Sequence, residues 1–125
     1  MAYPITKPYI KLLLILLVVA SCNNQKNTIL SFENHSNIHI DSVVFSVHNY
    51  THKMTNIQPN AIIKNRVYLD SVNLHSHSLT IIAKLYIKDS VFRGAVDYND
   101  LSGSLKKEYK LVLNKDLSTK IISSN

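Results

Sequence analysis

From residue 28 onward the chain alternates apolar and polar residues with a period of two, the pattern of a strand that buries every second side chain. The clearest stretch sets Leu79, Ile81, Ala83, Leu85 and Ile87 against Thr80, Ile82, Lys84, Tyr86 and Lys88. A second sets Val43, Phe45 and Val47 against Ser42, Val44, Ser46 and His48, preceded by Ile38 and Ile40 on the opposite parity. That switch of parity predicts a β-bulge or a short break at Asp41. Shorter runs predict strands over Ile29 to Phe32, Ile62 to Leu69, Phe92 to Tyr98, Glu108 to Leu113 and Thr119 to Ile122, about seven strands in all.

Turn-forming residues separate these runs: Asn34 to Asn37, Asn56 to Asn60 with Pro59, Leu74 to Ser78, Lys88 to Ser90, Asn99 to Ser104 with Gly103, and Asn114 to Leu117. Short strands punctuated in this way predict an all-β domain, a small antiparallel β-sandwich of immunoglobulin- or transthyretin-like kind, with a small barrel as the second choice. No helical period competes, beyond one short turn over Asp100 to Lys107. Asp-Ser-Val occurs at Asp41, Asp70 and Asp89, with unequal spacings of 29 and 19 residues. The expectation is repeated turn chemistry, in which the Asp and Ser side chains bond local backbone, and not a structural repeat.

The first 21 residues follow a different rule. Residues 1 to 11 carry Lys7 and Lys11 and no acid, and the apolar run Leu12 to Ala20 follows, the order of a secretory signal. As a helix, nine apolar residues cover about 14 Å, under half of a hydrocarbon core about 30 Å thick, so the run does not read as a membrane span. It ends in Val19, Ala20, Ser21, Cys22, and these four residues resemble the lipobox of bacterial lipoproteins at every position. The resemblance implies lipidation of Cys22 at its sulfur, cleavage after Ser21 and usually acylation of the new amino terminus. Several acyl chains on one residue make a stable membrane anchor, where one chain alone is marginal. The organisation expected is a lipoprotein signal peptide over 1–21, a polar tether over 22–27 (Asn23, Asn24, Gln25, Lys26 and Asn27 after the cysteine) and a β-sandwich over 28–125. The tether contains no acidic residue, hence neither an inner-membrane retention aspartate nor a surface-export acidic run, which points to an outer-membrane anchor facing the periplasm.

Composition narrows the function classes. With 125 residues the chain has room for one core, and its single cysteine excludes an internal disulfide. Of the formal charge of +6, Lys7 and Lys11 belong to the leader, leaving 12 basic against 8 acidic residues, a net +4. The basic residues are dispersed apart from Lys106, Lys107 and Lys110. Nucleic-acid binding needs a denser stripe on a recognisable module, so it is not expected.

The six histidines suggest metal chemistry, since neutral imidazoles are good ligands for zinc and copper. His75 and His77 share a face if extended, and His35 and His39 lie four apart, but neither pair gains a Glu or Cys to complete a site. A small-ligand or metal-binding lipoprotein using His75 and His77 with His35 or His39 is therefore the alternative, and exposed turn histidines the first expectation, with no cofactor. Asp97, Asn99, Asp100 and Gly103 do not match the spacing of an EF-hand and read as a turn. Hydrolytic chemistry finds no Gly-x-Ser-x-Gly elbow, and Glu33 and Glu108 are the only glutamates. The expectation is a non-catalytic protein-binding or structural module, an envelope or secretion accessory subunit or an immunity-type inhibitor. Tyr50, Tyr68, Tyr86, Tyr98 and Tyr109, in or beside strands, are its candidate interface residues.

Overall fold

The computed structural model describes residues 26–70, 72, 79–88, 90–100 and 105–125, with side chains of 90–96 excepted. Eight strands occupy them: β1 (Asn27–Asn34), β2 (Ile40–Val47), β3 (Tyr50–Ile57), β4 (Ile62–Tyr68), β5 (Leu79–Ile87), β6 (Ser90–Asp100), β7 (Glu108–Leu113) and β8 (Thr119–Ser124). They form two four-stranded sheets, ordered β4-β1-β7-β8 and β3-β2-β5-β6. The expected all-β sandwich is present. All pairings are antiparallel except β1 with β7, which run parallel through Ile29↔Glu108 to Asn34↔Leu113. An immunoglobulin sandwich places its first and second strands side by side in one sheet. Here β1 and β2 lie in different sheets, so the strand order is not that of an immunoglobulin sandwich.

The strands that were clearest by alternation are the central ones, because an inner strand must bury one whole face. In one sheet β1 contributes Leu30 and Phe32, and β7 contributes Tyr109, Leu111 and Leu113. From the other, β2 contributes Val43, Phe45 and Val47, and β5 contributes Leu79, Ile81, Ala83 and Leu85. All are buried in a single core.

Strand β3 is the eighth strand, over residues the alternation did not mark. Its buried residues, Met54 and Ile57, are three apart, because Asn56 between them takes a left-handed backbone conformation (φ 56°). Met54 pairs with Val43 and Ile57 with Ile40, so both strands change parity together at Asp41 and Asn56, and the pairing continues in register on either side. The expected disturbance at Asp41 is thus a matched break on two strands, without an extra residue. The register shifts lie elsewhere, between β5 and β6 around Leu85. Strand β6 runs on to Asp100, through the Asn99 and Asp100 of the expected turn, and the rest of that expected turn, 101–104, lies outside the described residues.

Polar side chains close the sandwich where the core gives out. Asn34, fully buried at the end of β1, donates through Nδ2 to the carbonyls of Ile38 (2.8 Å) and Gln58 (3.2 Å). Its Oδ1 accepts from the Ser36 amide (3.1 Å) and the Ser36 hydroxyl (2.6 Å). One side chain thereby binds the β1–β2 and β3–β4 connections, and the Asn34 amide adds a bond to Ala61 O (3.0 Å). The two open edges carry inward polar pairs: His52 Nε2 meets Asn65 Oδ1 (3.2 Å) between β3 and β4, and Tyr98 Oη meets Ser123 Oγ (2.9 Å) between β6 and β8.

Replacing a buried group that satisfies four partners strands those partners without water. Asn34→Ala is expected to destabilise the domain by roughly 2–4 kcal/mol, read as a lower urea midpoint with an unchanged slope.

Candidate functional site

Three surfaces carry chemistry: the end at which β1 begins, the outer face of the β4-β1-β7-β8 sheet, and the outer face of the other sheet. Of the histidines weighed as an alternative metal site, His35 and His39 do not come together on any of them. His35 Nε2 contacts Glu33 Oε2 (2.9 Å), whereas His39 lies between Asp41 Oδ1 (3.2 Å) and Asn56 Oδ1 (2.8 Å). His75, His77 and Cys22 lie outside the described residues. Among the described residues no cluster of three His, Cys, Asp or Glu side chains could hold a metal ion, and no helix is long and apolar enough to cross a membrane.

On the outer face of the β4-β1-β7-β8 sheet, period-two alternation on three adjacent strands brings Lys64, Ser31 and Lys110 into one row. The chain's two glutamates lie in the rows on either side. Glu108 accepts from the Ser31 hydroxyl (2.7 Å) and pairs with Lys64 (3.4 Å). Glu33 pairs with Lys110 (2.8 Å) and with His35. Both carboxylates are largely covered, at 15% and 18% side-chain exposure. The Lys110 ammonium holds the Glu33 carboxyl below its ordinary value, and the Ser31 hydroxyl, with Lys64, does the same for Glu108. The Glu33 carboxylate in turn raises Lys110. This lattice is internally satisfied and binds three strands side to side.

The opposite outer face differs in shape. The small side chains of β2 (Ser42, Val44) run between the taller Lys53 and Thr55 of β3 and Tyr86 of β5, leaving an open depression of about 390 Å³ with Asp41 at one end. Its lining offers hydroxyls, one ammonium and one aromatic ring. Asp41 is also bonded by the Lys88 amide of the β5–β6 turn. Asp70 accepts from the Lys26 amide (2.9 Å). Both aspartates of the described Asp-Ser-Val triplets therefore bond segments more than forty residues away, and the expectation of purely local bonding is corrected. Asp89 lies outside the described residues.

The end where β1 begins is tightly held. Lys26 donates to Asp70 and accepts from the Leu69 amide (2.7 Å), which ties the residue before β1 to the end of β4. Thr28 Oγ1 donates to the carbonyls of Lys106 (2.8 Å) and Lys107 (3.2 Å). The Ile29 amide donates to Lys107 O, and the Lys107 amide to Ser124 O, both at 3.0 Å. The Lys106 amide donates to the Tyr109 hydroxyl (2.9 Å). Tyr109, expected as a half-exposed interface residue, is instead fully buried with Tyr98 edge-on at 5.6 Å, and burial pushes its hydroxyl up to about 12. Alternation could not reveal this, since Tyr109 shares its parity with Leu111 and Leu113 but a tyrosine is usual on either face. Tyr68 is the expected kind of surface tyrosine, 53% exposed at the end of β4.

A carboxyl whose pKa is lowered by folding contributes stability above its unfolded value, and that contribution disappears as pH falls through the folded value. The domain should therefore lose stability below pH about 4.5 in part through Glu33 and Glu108, whose ordinary value is 4.5. The double variant Glu33→Gln, Glu108→Gln should show a flatter urea midpoint between pH 7 and pH 3 than the parent; equal slopes would remove the lattice as a source of acid sensitivity.

No family model matches this sequence, and no curated protein matches it. Among solved structures, the chain is similar to one described as the NMR structure of the protein from Eubacterium rectale, with 7% sequence identity and a TM-score of 0.47 over 82% of this chain and 93% of that one.

Proposed function

We propose that the chain is a lipid-anchored cell-envelope lipoprotein whose β-sandwich acts as a non-catalytic protein-binding or structural module on the outer membrane, facing the periplasm. The observation that carries this reading is Val19-Ala20-Ser21-Cys22 placed directly after the apolar run Leu12 to Ala20. A thiol there is suited to accept a lipid as a thioether, and small residues before it fit a protease that cleaves an extended backbone. The fold supports the reading in two ways. Lys26 is already held by Asp70 and Leu69, so only Asn23, Asn24 and Gln25 separate the anchor from a rigid body. The charged lattice of Glu33, Glu108, Lys64 and Lys110 is spent on holding strands together, which suits a module that works by its shape and edges.

Cys22→Ser should abolish incorporation of a fatty-acid analogue and leave a precursor that still carries residues 1–21; normal membrane attachment of that variant would overturn the reading. A stoichiometric partner recovered from mildly detergent-solubilised envelope would establish the module as protein-binding. Recovery of none across several detergents would leave a structural role.

A further inference from the structure

The sandwich has two unlike ends. At one end β1 and β7 begin and β4 and β8 finish, so Lys26, Tyr68 and the Lys106–Lys107 pair come together beside Asn27 and Ser124. Arg66 leans the same way, with Nη1 donating to Asn27 Oδ1 at 2.6 Å. The acidic groups described at this end are Asp70, Asp100 and Glu108, three against four cations, and Glu108 is already taken up by Ser31 and Lys64. None of the ion pairs between described side chains takes up Lys26, Arg66, Lys106 or Lys107, because those pairs fall to Lys64, Lys110, His35 and His39. The Lys106–Lys107 backbone is fixed by bonds to Thr28, Ile29, Ser124 and Tyr109. Its two cations are presented from a rigid frame.

We infer that this end, with Lys26, Arg66, Lys106 and Lys107, lies against the anionic lipid headgroups of the membrane that holds Cys22, with the exposed ring of Tyr68 at the same level. The inference rests on the lipoprotein reading and adds to it an orientation and a second contact. From Cys22 to Lys26 the chain is four residues, which spans at most about 14 Å when extended. That length is comparable to the range of roughly 8–10 Å over which a charged surface acts at moderate salt. A rigid body tethered so briefly cannot turn this end away from the bilayer, and cations held within that range are attracted by acidic lipids. Tyrosine suits the boundary because its ring is apolar and its hydroxyl stays wet. The opposite end, with Asn34, the β3–β4 turn and the turns at Lys88 and Lys115, is then the end that points away from the membrane.

The test uses the full chain, expressed with its leader, purified in detergent and reconstituted into vesicles of phosphatidylcholine alone or with about one third phosphatidylglycerol. Flotation is measured first, then the rate at which each lysine is acylated by a water-soluble reagent, read by mass spectrometry. Lys106 and Lys107 should react at least about fivefold more slowly on the anionic vesicles, with Lys88 and Lys115 changing less than about twofold, and high salt should restore the rate. In the variant Lys106→Glu, Lys107→Glu, the chain should still float while Lys26 loses its lipid-dependent protection. Equal rates at Lys106 and Lys107 on both vesicles, in a chain that floats, would overturn the orientation and leave the lipoprotein reading standing. A wild-type chain that does not float would overturn both.

Discussion

The structure depends on β1 being paired along both sides, antiparallel to β4 and parallel to β7. An inner strand can place one face wholly in the core only if its backbone groups are satisfied laterally, and β1 achieves this from Ile29 to Glu33 with partners on both neighbours. Its two ends then do different work. At the first, Lys26 and Thr28 capture the segments around Asp70 and Lys106–Lys107. At the last, Asn34 gathers the β1–β2 and β3–β4 connections into one buried network. A chain with no disulfide relies on such buried polar bonds where the apolar core stops, and they also impose one arrangement, since a shifted register would leave them unsatisfied.

Legibility in the sequence followed burial. Strands β2 and β5 were plain because they are inner strands whose alternate positions are apolar without interruption, and the two-sheet class followed from their company of short strands and polar turns. Strand β3 was not plain, because an edge strand buries little and the left-handed Asn56 moves Ile57 out of phase with Met54. The same break explains why Ile40 and Val43 are both buried while three residues apart. The parallel β1–β7 pairing left no local trace, since register between strands so distant in sequence is set by which sides of the growing sheet remain open.

The chemistry was less legible than the fold. Glu33 and Glu108 stood out only as the two glutamates, and nothing in a linear sequence shows that Lys110 reaches diagonally to Glu33 or that Ser31 bonds Glu108. Asn34 read as the first residue of a polar turn, which it is, but its burial comes from the Gln58 carbonyl arriving from another connection. His35 and His39 looked like one pair and serve separate carboxylates, because His39 precedes the inward Ile40 while His35 follows the inward Asn34 and turns back to Glu33. In each case the residue type was visible and its partner was a matter of topology.

That topology constrains assembly of the domain as well. Hairpins β2–β3, β5–β6 and β7–β8 are local and can form as soon as their strands are available, but β1 must wait for residues 108–113, some eighty positions later, to fill its second side. Non-local pairing of this kind slows folding, because loop closure costs entropy before any contact repays it. Until β7 arrives, β1 offers Leu30 and Phe32 on an open strand edge, and the Thr28 and Ile29 bonds to the Lys106–Lys107 segment are unmade. The end around Lys26 and Thr28 is therefore completed last. The Lys106–Lys107 segment before β7 closes that end as the final inner strand aligns, so the rigid frame around Lys26 exists only once nearly the whole chain is in place.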